Sequence, residues 1–270
     1  MINYNNIIDM ENGEIMLIMA GLGLYDEKDL TLKTLENAKK ADKIYAEFYT
    51  AILTGTTLEK IEETLGKKVN VLDREKVEYE TEQLIEESKE KNIMFLTAGD
   101  PMVATTHVDI AVEAKKKGIE VIIINAPSIY SAIGITGLQI YKFGKTTSIV
   151  FPEPNYFPET PYNVIKDNLS LGYHTLCLLD IHAHENKFMT ANEGLQVLLD
   201  IEKRREEKLL SEDTKVLVVA RAGSLKPKLV YGKIKDLIKQ DFGAPLHSII
   251  ILGNLHFMEE EALEILAENV

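Results

Sequence analysis

Three stretches of this chain, MLIMA at 16–20, IMFL at 93–96 and VIII at 121–124, are apolar at every position instead of every second one. A strand with one wet face alternates apolar and polar residues, so a strand apolar throughout needs cover on both faces. Amphipathic segments with helical spacing lie between such runs, at 31–41, 57–65, 78–91 and 107–117. Strand and helix alternating in this way predict βαβ units and a mainly parallel sheet. The predicted strands are MLIMAGLG, KIYAEFY, a weak one at 69–72, NIMFLTAG and IEVIIINAP, which together define an N-terminal α/β domain over 16–126.

The nearly uncharged segment 128–144 is rich in small residues, and we read 127–146 as a buried connecting helix at a domain junction. Beyond it, KTTSIVFPE opens a second α/β domain over 147–270, with further strands at HTLCLLDI, KVLVVARAG, KLVYGKI and HSIIILG and helices near 162–170, 190–209 and 259–267. KVLVVARAG and KLVYGKI follow one another closely enough to form a hairpin, so the second sheet is expected to be mixed. Residues 1–15 are polar and acidic, precede a second methionine at Met16, and read as a flexible N-terminal extension.

Lys plus Arg total 30 against 43 Asp plus Glu, and the formal charge of -13 repels a phosphate backbone. Direct nucleic-acid binding is therefore not expected. No run reaches the ~20 apolar residues of a membrane span, and the single cysteine, Cys177, sits in an apolar stretch and reads as a buried thiol of a reducing compartment. A cytoplasmic location follows as the expectation.

Familiar ligand motifs fail in informative ways. GLGLYD at 21–26 begins like a dinucleotide-binding turn, but Asp26 stands where the third glycine belongs and would repel a pyrophosphate. FGKTTS at 143–148 carries the Gly-Lys-Thr of a phosphate loop, yet Gln139 occupies the first glycine position and a strand follows where a helix is required. His182 and His184 have no second cluster to complete a metal site and read as a surface loop. No nucleophile elbow is present.

What remains is a set of loops at strand ends: GLGLYDE, TAGDPMVATTH, APSIYSAIG and ARAGS. Ligands of open α/β sheets collect at the carboxyl ends of the strands, and small residues let a ligand approach bare backbone. The loops carry carboxylates and little basic character, which suits a cationic ligand.

These loops, with AEFYT, GTTLEKIEE, LLDIHA, MTANEG and KDLIKQDFGAPLHSIIILGNLH, resemble the diphthine synthase family within the tetrapyrrole methylase fold, over nearly all of 16–257. ATTH and PSIYSAIGITGLQIYKFGK are the most specific of the matches. The chain departs from the pattern at Ala98, where the family has proline, and nothing carries over to the N-terminal extension or to residues after about 258. The resemblance implies two α/β domains with S-adenosyl-L-methionine in the cleft between them. It also implies a homodimer and trimethylation of the amino group of 2-(3-amino-3-carboxypropyl)-histidine on translation elongation factor 2, to give diphthine. Cofactor contacts carry over to Leu24, Asp100, Val103, Ser128, Ile129, Leu179, Ala222 and His247. No catalytic base and no metal ligand carries over. A methylase acting on a small tetrapyrrole and a silent S-adenosylmethionine binder are the competing readings, the first weakened by the lack of an Arg cluster for a carboxylate-rich acceptor.

Overall fold

The computed structural model describes residues 15–72 and 77–270. The expected extension lies outside them except for its last residue, Ile15. The first sheet contains β1 (Met16–Gly21), β2 (Lys43–Glu47), β3 (Val69–Leu72), β4 (Ile93–Thr97) and β5 (Glu120–Ile124), in the order β3-β2-β4-β1-β5 with every pairing parallel. Its helices are α1 (Leu32–Lys40), α2 (Leu58–Leu65), α3 (Val77–Glu87) and α4 (Val108–Lys116). The apolar run of β1 has the predicted consequence. Met16, Ile18 and Ala20 pack with Ala38 of α1 and Ile61 of α2, while Leu17 and Met19 pack with Leu84 of α3 and Ile110 of α4.

The strand order reverses between β1 and β4. After β1 the chain crosses beyond β4 to reach β2, and after β4 it crosses beyond β1 to reach β5. The loops leaving β1 and β4 therefore separate in opposite directions, and a crevice opens at their carboxyl ends.

Residues 127–146 are not the continuous buried helix expected from the sequence. Helix α5 covers only Ile129–Ala132, and two 3-10 turns follow at Ile133–Thr136 and Ile140–Lys142. Gly137 accounts for one break: its φ of +76° is left-handed, and a Cβ there would lie 2.4 Å from the Cβ of Ala262. Much of the segment faces out, with Tyr141 83% exposed.

The second sheet contains β6 (Thr147–Ile149), β7 (Thr175–Leu179), β10 (Lys215–Ala220), β11 (Lys228–Lys233), β12 (His247–Ile251) and β13 (Glu268–Asn269). A separate two-stranded ladder joins β8 (Ile181–His182) to β9 (Lys187–Phe188). The six-stranded order is β13-β11-β10-β12-β7-β6, mixed as expected, with β10 and β11 forming the antiparallel hairpin. Helices α6 (Thr160–Ser170), α7 (Ala191–Arg205), α8 (Ile234–Leu237) and α9 (Phe257–Leu266) complete this half. Cys177 lies in its core, and burial pushes the thiol up to about 12.

One buried carboxylate ties the connecting segment to this half. Glu259, in the first turn of α9, is fully buried. Its Oε1 accepts from the Gln139 amide at 2.9 Å and lies 3.1 Å from His174 Nε2. Its Oε2 accepts from the His256 amide at 2.8 Å and from the Lys142 ammonium. Burial alone would raise the carboxyl pKa, but Lys142, the two amides and His174 outweigh it and hold it at about 2. Because the folded value lies below the unfolded one, this stabilisation is present above pH ~4.3 and is lost as pH falls toward about 2. Glu259→Ala leaves the Gln139 and His256 amides without their acceptor and Lys142 with only the Asn254 carbonyl, and should lower the unfolding free energy by roughly 3 kcal/mol at pH 7 in urea titrations. The same variant should lose less stability than wild type when acidified from pH 5 to 3.

Candidate functional site

A cleft lies where the carboxyl edge of the first sheet meets the second half of the chain. One wall comes from the loops after β1 (Gly23, Leu24, Tyr25), β2 (Thr50 to Ile52, and Thr54) and β4 (Ala98 to Asp100, and Val103 to Thr105), with Ser128 and Ile129 at the start of α5. The other comes from Leu178 to Ile181, Val219, Arg221, Ala222 and the start of β12, Leu246 to Ser248. The cleft encloses about 1060 Å³ of empty space, the open solvent at its mouth included. Leu24, Asp100, Val103, Ser128, Ile129, Leu179, Ala222 and His247 all line it. The four loops singled out in the sequence thus converge on one cavity.

Backbone pairing holds the first wall. Past the last residues of β1 and β4, the Leu22 amide donates to the Thr97 carbonyl at 2.8 Å, and Gly23 and Gly99 exchange two hydrogen bonds at 3.2 and 2.7 Å. Asp29 then folds back, and its Oδ2 accepts from the amides of Leu24 at 2.9 Å and Tyr25 at 2.8 Å. The pair of amides that could cradle an external anion is taken by the chain's own carboxylate. A pyrophosphate is therefore opposed more by Asp29 than by Asp26, which caps the following 3-10 turn through the Lys28 amide at 3.0 Å.

Asp100 has a structural task that its position in the sequence did not disclose. Its Oδ1 accepts from the Met102 amide at 2.9 Å, and its Oδ2 accepts from Asn125 Nδ2 at 3.0 Å and the Ala126 amide at 3.1 Å. The carboxylate, buried and 4% exposed, ties the loop after β4 to the loop after β5 and so places Ser128 and Ile129.

His247 is similarly committed. Nδ1 accepts from the Ala191 amide at 3.2 Å, satisfying the first N–H of α7, and Nε2 faces the carbonyls of Gly243 and Ala244 at 3.2 and 3.1 Å. Both ring nitrogens are occupied, so the ring offers a ligand its surface only. Arg221, missed in the sequence, lines the cleft, but its Nη1 donates to the carbonyls of Phe242 at 2.6 Å and Ala244 at 3.0 Å. The two halves touch where Gly223, at φ +88°, meets Leu24; a Cβ on Gly223 would lie 2.6 Å from that of Leu24.

Sequence reasoning also missed the loop after β2 and Asp180. The rule that selected the other loops applies equally to the TAILT that follows KIYAEFY, and would have found it. His182 lies 3.3 Å from Asp180, His184 is exposed, and among the described residues no cluster could hold a metal.

Residues 16–238 match the family model described as Tetrapyrrole (Corrin/Porphyrin) Methylases. The chain is 80% identical over 255 residues to a diphthine synthase of Methanococcus aeolicus, covering 94% of this chain and 99% of that protein. It is 77% identical over 257 residues to the diphthine synthase of Methanocaldococcus jannaschii, with coverage of 94% and 100%. The chain belongs to the diphthine synthase family of tetrapyrrole methylases. A solved diphthine synthase structure, 39% identical, superposes with a TM-score of 0.86 over 94% of this chain and 97% of that one.

Burial lowers the pKa of three histidines: His107 to about 4, and His174 and His247 in direction. A histidine whose folded pKa lies below 6.5 stays neutral in the fold while the unfolded chain takes up the proton. Stability is complete above pH ~6.5 and falls as pH drops toward about 4. His107 alone accounts for about 2 kcal/mol lost between pH 7.5 and 5, and urea titrations of wild type and His107→Phe at both values should differ by that share.

Proposed function

We propose that the chain is an S-adenosyl-L-methionine-dependent methyltransferase that trimethylates the amino group of 2-(3-amino-3-carboxypropyl)-histidine on translation elongation factor 2, giving diphthine and S-adenosyl-L-homocysteine. The observation that carries this reading is the convergence of all eight expected contact residues on one cleft in a chain 80% identical to a diphthine synthase. The lining also fits the cofactor chemically. Two carboxylates, Asp100 and Asp180, stand in the wall and favour a sulfonium cation, while the one arginine of the lining, Arg221, is held to the carbonyls of Phe242 and Ala244. Leu24, Val103, Ile129 and Leu179 would pack the adenosine and thioether, and Ser128 and Ala222 would contribute backbone polar groups and small size. His247 would present its ring face. Asp100 would act chiefly by holding Ser128 and Ile129 in place.

When bound, the cofactor supplies an electrophilic methyl on sulfur. The chain's residues align the amine with it, and holding the reacting atoms about 3 to 3.5 Å apart in line accounts for much of the acceleration in such displacements. Each transfer needs a neutral amine, and an α-amine of pKa near 8 is largely protonated at neutral pH. The reaction stops by itself at three methyl groups, because a quaternary nitrogen has neither proton nor lone pair.

The reading includes a homodimer. Ile123 on the edge strand β5 and Ile135, Ile140 and Tyr141 of the connecting segment are exposed and apolar, which suits burial against a second copy. A cytoplasmic site of action is consistent with the buried thiol, and among the described residues no helix is long and apolar enough to cross a membrane.

Intact-mass spectrometry of elongation factor 2 bearing the aminocarboxypropyl-histidine, after incubation with the chain and S-adenosylmethionine, should show a gain of three methyl masses, and unmodified factor should show none. A fourth methyl would place the chain with ester-forming enzymes. No gain on either factor would overturn the reading in favour of a small-molecule acceptor or a silent binder.

A further inference from the structure

Behind the wall formed by the loop after β2 lies a buried pair of titratable groups that cofactor binding does not use. Glu47, the last residue of β2, is fully buried and sits in register with Thr97 of β4. Its Oε2 accepts from the amides of Tyr49 and Thr50, each at 3.0 Å, and its Oε1 accepts from the Thr50 hydroxyl. The same Oε1 lies 3.6 Å from His107 Nε2, which has no hydrogen-bond partner, while Nδ1 lies 3.3 Å from Thr97 Oγ1. The titratable groups facing Glu47 are His107, from the loop before α4, and Tyr49 of its own loop, whose ring stands edge-on to the imidazole at 6.5 Å.

A carboxylate and an imidazole desolvated together, without a full hydrogen bond between them, cost more than an apolar pair of the same volume. Groups placed in this way are commonly found at functional sites. One of their neighbours reaches the cleft: Thr50 is half-buried in its wall, and among the described residues its hydroxyl bonds only to Glu47, leaving its lone pairs free to accept.

We propose that Thr50 and Glu47 carry the proton away from the substrate amine, with the Thr50 hydroxyl touching the ammonium and Glu47 accepting behind it. The inference rests on the methyltransferase reading above. An N–H of the ammonium gives its proton to Thr50 Oγ1 as Thr50 passes its own to Glu47 Oε1; the nitrogen keeps the electron pair and the carboxylate becomes a carboxylic acid. The neutral amine then forms its N–C bond to the methyl carbon, and the pair of the breaking C–S bond goes to sulfur. Glu47 returns the proton to water through the same hydroxyl before the next round. Three rounds remove three protons, and the quaternary product has none left to give.

The electrostatics are consistent with this role. Burial raises the Glu47 carboxyl above its ordinary value, against the opposing pull of the Thr50 and Tyr49 donors, and so makes it a better acceptor. Burial also holds His107 near 4, so a neutral imidazole faces Glu47 and does not lock it in an ion pair. Asp180, on the opposite wall, is less suited: its oxygens accept from the Phe151 amide at 2.9 Å and the Ile181 amide at 3.0 Å, with His182 at 3.3 Å.

The test measures single-turnover methylation of elongation factor 2 from pH 6.5 to 9.5 for wild type, Glu47→Gln, Thr50→Val and Asp180→Asn, with calorimetric titration of S-adenosylhomocysteine on each. Glu47→Gln and Thr50→Val should bind S-adenosylhomocysteine within about twofold of wild type, methylate at least ~100-fold more slowly at pH 7, and recover most of the loss above pH ~9, where solution deprotonates the amine. Thr50→Val keeps the path testable if Glu47→Gln does not fold. Wild-type rates and pH profile in both variants would overturn the proposal. So would an equal loss at every pH with weakened S-adenosylhomocysteine binding, which marks a structural role, or a pH-rescued loss confined to Asp180→Asn. An inactive wild type would overturn the functional reading instead.

Discussion

The site depends on the way two parallel strands part company. As adjacent strands with their onward connections running in opposite directions, β1 and β4 cannot both be covered at their carboxyl ends by the same helix. Pairing nevertheless continues past them, through Leu22 to Thr97 and then through the doubly bonded Gly23 and Gly99. That short continuation fixes both first-wall loops relative to the sheet before any side chain contributes. Asp29 and Asp100 then complete the backbone hydrogen bonding of those loops from within the chain. A buried loop amide without a partner costs about 1 to 3 kcal/mol, so each carboxylate removes a substantial penalty from its loop.

The acidic composition thus serves two purposes. Most of the negative charge is solvated, and several surface carboxylates pair with lysines, as Glu86 does with Lys89 and Lys117. A few carboxylates are instead turned inward to hold amides in place, and these decide the character of the cleft. Because Asp29 fills the amide pair after β1, that loop has no backbone donors left with which to cradle a phosphate. On the proposed reading, a cationic ligand is favoured less by attraction to a net charge, screened within about 8 Å at physiological salt, than by Asp100 and Asp180 in the wall itself.

The fold was largely legible in the sequence because buried parallel strands announce themselves as unbroken apolar runs, as β1 and β4 do, although the equally apolar β5 lies at the sheet edge and leaves Ile123 exposed; even the weak strand at 69–72 was found at its observed limits. The segment 127–146 misled because low charge and small residues look alike in a buried helix and in a chain of tight turns. Only the left-handed requirement at Gly137, set by Ala262 more than a hundred residues away, separates the two. The first-wall loops were legible as glycine-rich strand ends. The second wall was read less fully, because Asp180 and Arg221 acquire their places from β7 and β10 of a mixed sheet whose strand order no local pattern encodes. His247 was found, but its bond to the first amide of α7 depends on a partner 56 residues distant.

On the proposed reading, a displacement at a sulfonium methyl demands alignment more than chemistry from the protein, which suits a cleft where Asp29, Asp100, Arg221 and His247 all bond to backbone. Rigidity of this kind is compatible with a proton acceptor only if the acceptor is itself part of the frame. Glu47 meets that condition: the two amides that anchor its Oε2 also shape the loop carrying Thr50, so the group that would take the proton and the loop that would meet the amine are set by the same bonds. Separating the two roles therefore requires changing the charge at Glu47 while keeping its shape, and asking whether the lost rate returns when solvent removes the proton instead.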